Sequence, residues 1–139
     1  MIPPPPNWRP KPPVSDVALE NLISNAPMSL PSIYLDLLRL SNGGFAELNI
    51  APWAVDFWPA ERILDLNREY GIDQHAPGFF AFGSNLGEEV LALKKADGEG
   101  SGVYMLPWHR PDEAYAKQVF PSVGDLVKAF VLSGDLGSK

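Results

Sequence analysis

Leu30-Pro31-Ser32-Ile33-Tyr34-Leu35-Asp36-Leu37-Leu38-Arg39-Leu40-Ser41-Asn42-Gly43-Gly44 holds both ends of one helix in a single passage. Pro31 suits a first helical turn, because its fixed φ is already helical and its missing N–H would have no partner there. Leu30, Tyr34, Leu37 and Leu38 recur at the three- and four-residue spacing of a buried stripe. Asn42-Gly43-Gly44 then offers residues that accept left-handed backbone and end the helix. So short a helix is stable only when its stripe packs against something else. The flanking sequence must therefore supply a core.

Upstream, Ser15 is a candidate N-cap, and Leu19, Leu22, Ile23 and Ala26 follow at helical spacing until Pro27. Downstream the pattern shortens. Phe45–Ile50 and Val55–Trp58 read as strands, and Ala60–Tyr70 reads as a helix with Ile63, Leu66 and Tyr70 inward and Gly71 as its stop. Phe79–Phe82, Val90–Leu93 and Val103–Leu106 are compact apolar runs. Asn85 with Gly87, and then the polar Ala96–Gly102, give turn chemistry between them, so residues 79–106 predict an antiparallel meander. Ser122 and Asp125 form a capping-box-like pair ahead of a last helix, whose stripe is Val123, Leu126, Val127 and Phe130 and whose stop is Gly134. Strands that cluster instead of alternating with helices predict an α+β fold.

The chain has 139 residues and 15.2 kDa, one domain's worth. Area scaling gives a folded surface near ~7,100 Å² against ~22,000 Å² extended, enough burial to hold without staples. Seven of the 15 prolines fall in residues 1–13. Proline runs favour extended polyproline geometry, so residues 1–14 read as an arm laid on the body, pinned by Trp8, and 15–139 as the domain. The start has neither the basic nor the apolar region of a signal peptide, and no apolar run approaches a membrane span. A cytoplasmic protein is expected.

The net charge is −6, and residues 1–15 carry Arg9 and Lys11 with no acid, leaving −8 on the rest. Such a body repels phosphate backbones, so nucleic acid is not expected as a ligand, while a basic protein partner is allowed. There is no cysteine, which removes thiolate nucleophiles, disulfides and cysteine-held metals. The two histidines are His75 and His109, too few for a histidine metal site. Gly83-Ser84-Asn85-Leu86-Gly87 lacks the lysine of a phosphate-binding loop, and Ser84 lacks the frame of a nucleophile elbow. Asp97-Gly98-Glu99-Gly100 has half the ligands of a calcium loop. No catalytic constellation, metal or cofactor is expected. Trp53, Trp58 and Trp108 each adjoin a proline. A rigid tryptophan at an element's edge serves equally as core or as binding anchor.

The motif leucine-proline-x-x-tyrosine with its closing asparagine-glycine-glycine, at Leu30–Gly44, resembles the hallmark of the SUKH superfamily, which contains the Smi/Knr-type domain. Val55–Trp58 leading into Glu61–Tyr70, Phe79–Ser84, Gly102–Tyr104 and Ser122–Phe130 are similar to its later elements in order. The loop Asn85-Leu86-Gly87 departs from the family pattern in carrying one glycine. The resemblance implies a twisted, mostly antiparallel sheet with helices packed mainly on one face. It also implies a binding role without an enzyme activity. Bacterial members are typically immunity proteins that neutralise toxins, often nucleases; fungal relatives are regulatory hubs. The expected function is therefore neutralisation of a basic toxin domain by surface complementarity. The expected contacts are the loop after the second helix (Asn42, Gly44, Glu47), Trp53, and the acids Glu88, Glu89, Asp97 and Glu99. The glycine would shape the loop, and the acids and tryptophan would touch the partner. A hub module of a housekeeping complex, with the proline arm recruiting a second partner, is the alternative. An enzyme whose residues converge only in the fold is the third.

Overall fold

The computed structural model describes residues 8–48 and 52–129. The chain is a single α+β domain built on one antiparallel sheet, with strands paired in the order of the sequence. The strands are β1 (Trp8–Pro10), β2 (Gly44–Glu47), β3 (Ala54–Phe57), β4 (Phe79–Ser84), β5 (Glu89–Lys94), β6 (Val103–Pro107) and β7 (Lys117–Phe120). Helices α1 (Asp16–Asn25) and α2 (Ser32–Leu40) fill the connection from β1 to β2. Helices α3 (Ala60–Glu69) and α4 (Ile72–His75) fill the one from β3 to β4. The last helix, α5, occupies 123–129 of the described residues. The expected ends of β2 at Ile50 and of α5 at Phe130 and Gly134 lie outside them.

One face of the sheet is sealed. Phe80 lies opposite Leu93 and Leu93 opposite Val103, while Leu91 lies opposite Met105, and all five are essentially without exposure. Phe80 floors the cleft between α1 and α3. Tyr34 of α2 meets Phe82 edge-on at 5.2 Å. On the other face Phe79 meets Tyr104 at 5.3 Å beside the exposed Lys94, so that side is half open. The apolar runs of β4 and β5 are continuous because their strands sit mid-sheet, where all but their end residues are buried.

Two corrections concern the ends of the sheet. The meander continues past Pro107 into β7, whose Lys-Gln-Val-Phe carries too little apolar pattern to announce a strand; a bulge between Val103 and Tyr104 interrupts its pairing. The proline-rich arm supplies β1, which pairs with β2. Beyond β1 the Lys11 N–H donates to Ser41 Oγ (2.8 Å), the Asn42 N–H to Pro12 O (2.9 Å) and the Val14 N–H to Leu38 O (3.1 Å). Residues 8–14 are thus bonded into the fold. A proline at a sheet edge costs no ladder bond on its solvent side.

Both prolines that open helices serve as N-caps, and neither has a side chain able to cap. Remote residues do it instead. Glu99 Oε1 accepts from Ser32 N at 2.8 Å, placing a carboxylate at the positive end of α2. Asn42 Oδ1 accepts from Ala60 N at 2.8 Å, and its Nδ2 donates to Glu61 at 2.7 Å, closing the start of α3. The α2 terminator therefore caps the next long helix. Gly43 permits this approach: at φ +91° a Cβ would stand 2.8 Å from Phe57 O. At α5 the expected pair forms, with Asp125 N donating to Ser122 Oγ and Ser122 Oγ to Asp125 Oδ2.

Asn67 is the core's least expected member. On α3 the buried positions are Ala60, Ile63 and Asn67, while Leu66 stays half-buried. Strand β3 pairs with β4 at Asp56–Ser84 and Phe57–Gly83, and the Trp58 N–H donates to Phe82 O at 3.0 Å before Pro59 takes the chain away. The Asn67 amide takes over: Ala81 N donates to its Oδ1 (2.8 Å), and its Nδ2 donates to Ala81 O (2.9 Å) and Ile63 O (2.8 Å). One side chain stands in for the departed strand at Ala81, whose buried N–H and C=O both keep a partner.

Candidate functional site

The meander brings three connections to one end of the sheet. β2 runs toward its turn with β3, β4 toward its turn with β5, and β6 toward its link with β7, all pointing the same way because neighbours alternate in direction. This end, the tip, holds Glu47, Trp53, Glu88 and Glu89 of the expected contacts. The other four lie at the opposite end. There Asn42 and Glu99 cap helices, Gly44 is buried in β2 opposite Phe57, and Asp97 is exposed in a 3-10 turn over Lys95–Gly100. The fold thus divides the expected set in two.

Backbone conformation singles out the tip. Among the described residues, the non-glycine positions at positive φ are Trp53 (+73°) and Leu86 (+62°). They are also among the most exposed large apolar residues, at 63% and 61%. A turn that needs left-handed backbone ordinarily takes glycine or asparagine, so a tryptophan or leucine there is strained for some other gain. The β4–β5 turn holds Leu86 firmly. Asn85 Oδ1 accepts from Gly87 N (2.9 Å) and Glu89 N (3.3 Å), and Asn85 N donates to Glu89 O (3.1 Å).

Trp108, 41% exposed, stands beside Leu86 at the end of β6. Its ring packs at 5.8 Å on Tyr70, which packs at 5.7 Å on the buried Trp58. The His109 ring meets Trp108 edge-on at 5.7 Å. An unbroken row of rings therefore anchors the surface tryptophan to the core. Between Leu86, Trp108 and Tyr70 opens a cleft of about 240 Å³, whose side-chain walls are apolar apart from Ser84. Next to it Glu88, Glu89, Pro107, His109, Arg110 and Tyr115 line a second of about 340 Å³. Neither Glu88 nor Glu89 has an ion-pair partner among the described residues. Tyr115 is 55% exposed.

His109 shares the acidic cleft with Glu88 and Glu89. His75 ends α4 and lines neither tip cleft, with its ring against Gly71. Among the described residues no three of His, Cys, Asp and Glu gather to hold a metal ion, and no helix is long and apolar enough to cross a membrane. The larger groove between α1 and α3 is polar, and its Asp65 and Arg68 are already paired with each other. Burial raises the Asp56 pKa above the ordinary carboxylate value, partly offset by the nearby Lys11 charge.

Leu86, Trp108 and Tyr115 were not among the expected contacts. Trp108 carried a signal in its adjoining proline. Leu86 carried a subtler one, a leucine where Asn-x-Gly turn chemistry favours a small or polar residue. Tyr115 carried none.

The model of the SMI1/KNR4 family (SUKH-1) matches residues 13–129. No curated protein matches the sequence.

Proposed function

The chain belongs to the SMI1/KNR4 family (SUKH-1), and from that premise we propose that it is a non-enzymatic, cytoplasmic immunity protein that binds and occludes a basic toxin domain. The observation that carries the reading is the tip: Trp53 and Leu86 are exposed at positive φ on one end of the sheet, Leu86 stands beside Trp108, and Glu88 and Glu89 have no ion-pair partner among the described residues. Rigid aromatic and apolar anchors rimmed by charge are what a protein interface uses for affinity. The net charge of −6 steers a cationic partner and repels the nucleic acid that a nuclease toxin would otherwise bind.

Affinity capture with the tagged chain from its source cells, washed at low and high salt and read by mass spectrometry, tests this. A single basic toxin-like polypeptide, retained at low salt and weakened at high salt, supports it. A set of housekeeping proteins refutes it and favours the hub. The hub reading cannot be probed by deleting residues 1–13, since that removes β1 and the Lys11 and Pro12 bonds along with the arm.

A further inference from the structure

The two clefts at the tip lie on either side of one narrow rim. Val90 lines the apolar cleft and Glu89 the acidic one; Trp108 lines the first and Pro107 the second. Adjacent strand residues face opposite sides of a sheet, so the rim formed by the β4–β5 turn and the end of β6 separates an apolar seat from an acidic seat. The Trp108 N–H donates to Glu88 O at 2.9 Å and Glu89 lies opposite Pro107, which ties the two halves of the rim together.

We infer that this rim is straddled by a polypeptide segment of the partner carrying an apolar side chain next to a lysine or arginine. This rests on the tip being the partner surface and goes further by naming what occupies it. The apolar side chain enters between Leu86, Trp108 and Tyr70, a seat sized for one such group and fixed by the ring row behind it. The cation crosses the rim and lies between Glu88 and Glu89. Its aliphatic stem rests on Pro107 and Tyr115 while the charge reaches the carboxylates. Arg110 is in the same cleft, yet two carboxylates against one guanidinium leave a negative excess that a partner cation neutralises. The reverse pairing, an acidic segment, would meet the same two glutamates and be rejected. The turn hydrogen bonds fix the backbone at Leu86 before binding, which lowers the ordering cost of association.

The probe is a phage-displayed library of random dodecapeptides, selected on the full chain, with the consensus peptide then synthesised and its affinity measured by fluorescence anisotropy. The expected consensus places an aromatic or branched aliphatic residue within two positions of Arg or Lys. Leu86→Asn, which keeps a residue tolerant of positive φ, should weaken that peptide by about tenfold or more, the range of a hot-spot truncation. Glu88→Gln with Glu89→Gln should weaken it and flatten its salt dependence. Val17→Asn, at an exposed position on α1, should leave it unchanged. Thermal melting verifies that each variant is folded. No enriched sequence, a consensus without a basic residue, or equal binding by Leu86→Asn would overturn the inference. None of those results bears on whether a toxin is captured in cells, so the two readings fail separately.

Discussion

Asn67→Leu removes the amide that completes β4 where β3 departs. Leucine has the branched outline of asparagine but is bulkier, so it fills the site, keeps water from reaching Ala81 and adds some overpacking to the loss. The change leaves Ala81 N–H and C=O without partners, at a residue with no measurable exposure. Each orphaned buried group costs about 1–3 kcal/mol, partly offset by leucine's own burial, for a net loss of roughly 3 kcal/mol. In a domain of this size that lowers the melting temperature by roughly 10 °C. Asn67→Ala should cost less than leucine, because the polar groove that Asn67 lines lets water replace the amide. Asn67→Asp adds a pH signature. Its Oδ still accepts from Ala81 N, but an ionised carboxylate would face Ala81 O, so the folded pKa rises above the unfolded one. The folded state then holds the proton more tightly, and stability is greatest at acid pH and falls as pH rises through the folded pKa. Urea midpoints for the three variants, with the aspartate followed across pH, read all of this. A loss under about 1 kcal/mol for leucine, or an aspartate variant with no more pH dependence than wild type, would refute the role of Asn67 as a surrogate strand.

The Tyr34 hydroxyl is buried without a hydrogen-bond partner among the described residues, and burial pushes its pKa far up. Tyr34→Phe should keep the Phe82 contact and leave stability unchanged or higher by up to about 1 kcal/mol; a clear loss by chemical denaturation would reveal a bond to that oxygen. Asn42→Ala and Glu99→Ala should each cost about 1 kcal/mol as lost caps, and add in the double variant because they serve different helices. Non-additive midpoints would show the two ends to be coupled. Since the Asp56 pKa is raised, its contribution is full below the ordinary carboxylate value and lost as pH rises through the folded value. Asp56→Asn should therefore gain on wild type toward neutral pH; a constant difference between their pH–stability curves would refute that.

Local chemistry accounts for most of what the sequence made legible. The stripe Leu30, Tyr34, Leu37 and Leu38 is buried as the period predicts, and Ser15 caps α1 through Ala18 N at 3.1 Å. The runs at β4, β5 and β6 form the expected meander. Periodicity failed where burial did not follow hydrophobicity. Asn67 took an inward position that Leu66 was expected to hold, because an unpaired strand edge demanded an amide. β7 stayed hidden for a related reason: an edge strand with two exposed residues has little apolar signal to show.

The candidate site divides along the same line. That Trp53 and Glu88 stand exposed in turns was readable, since neighbouring prolines and glycines bear on that directly, whereas Glu89 opens β5 and is half-buried. The sequence also determined the alternation of strand directions, once the hairpins were read. Which turns meet at one end, and that Glu99 and Asn42 are occupied as caps for helices that start with proline, only the tertiary structure decided. Those contacts join residues up to 67 positions apart. A helix's first N–H groups donate to any well-placed oxygen, so nothing in the local sequence says which one arrives. The same holds for the rim: a leucine in a turn becomes an anchor only when β6 sets Trp108 beside it and Tyr70 holds that ring in place.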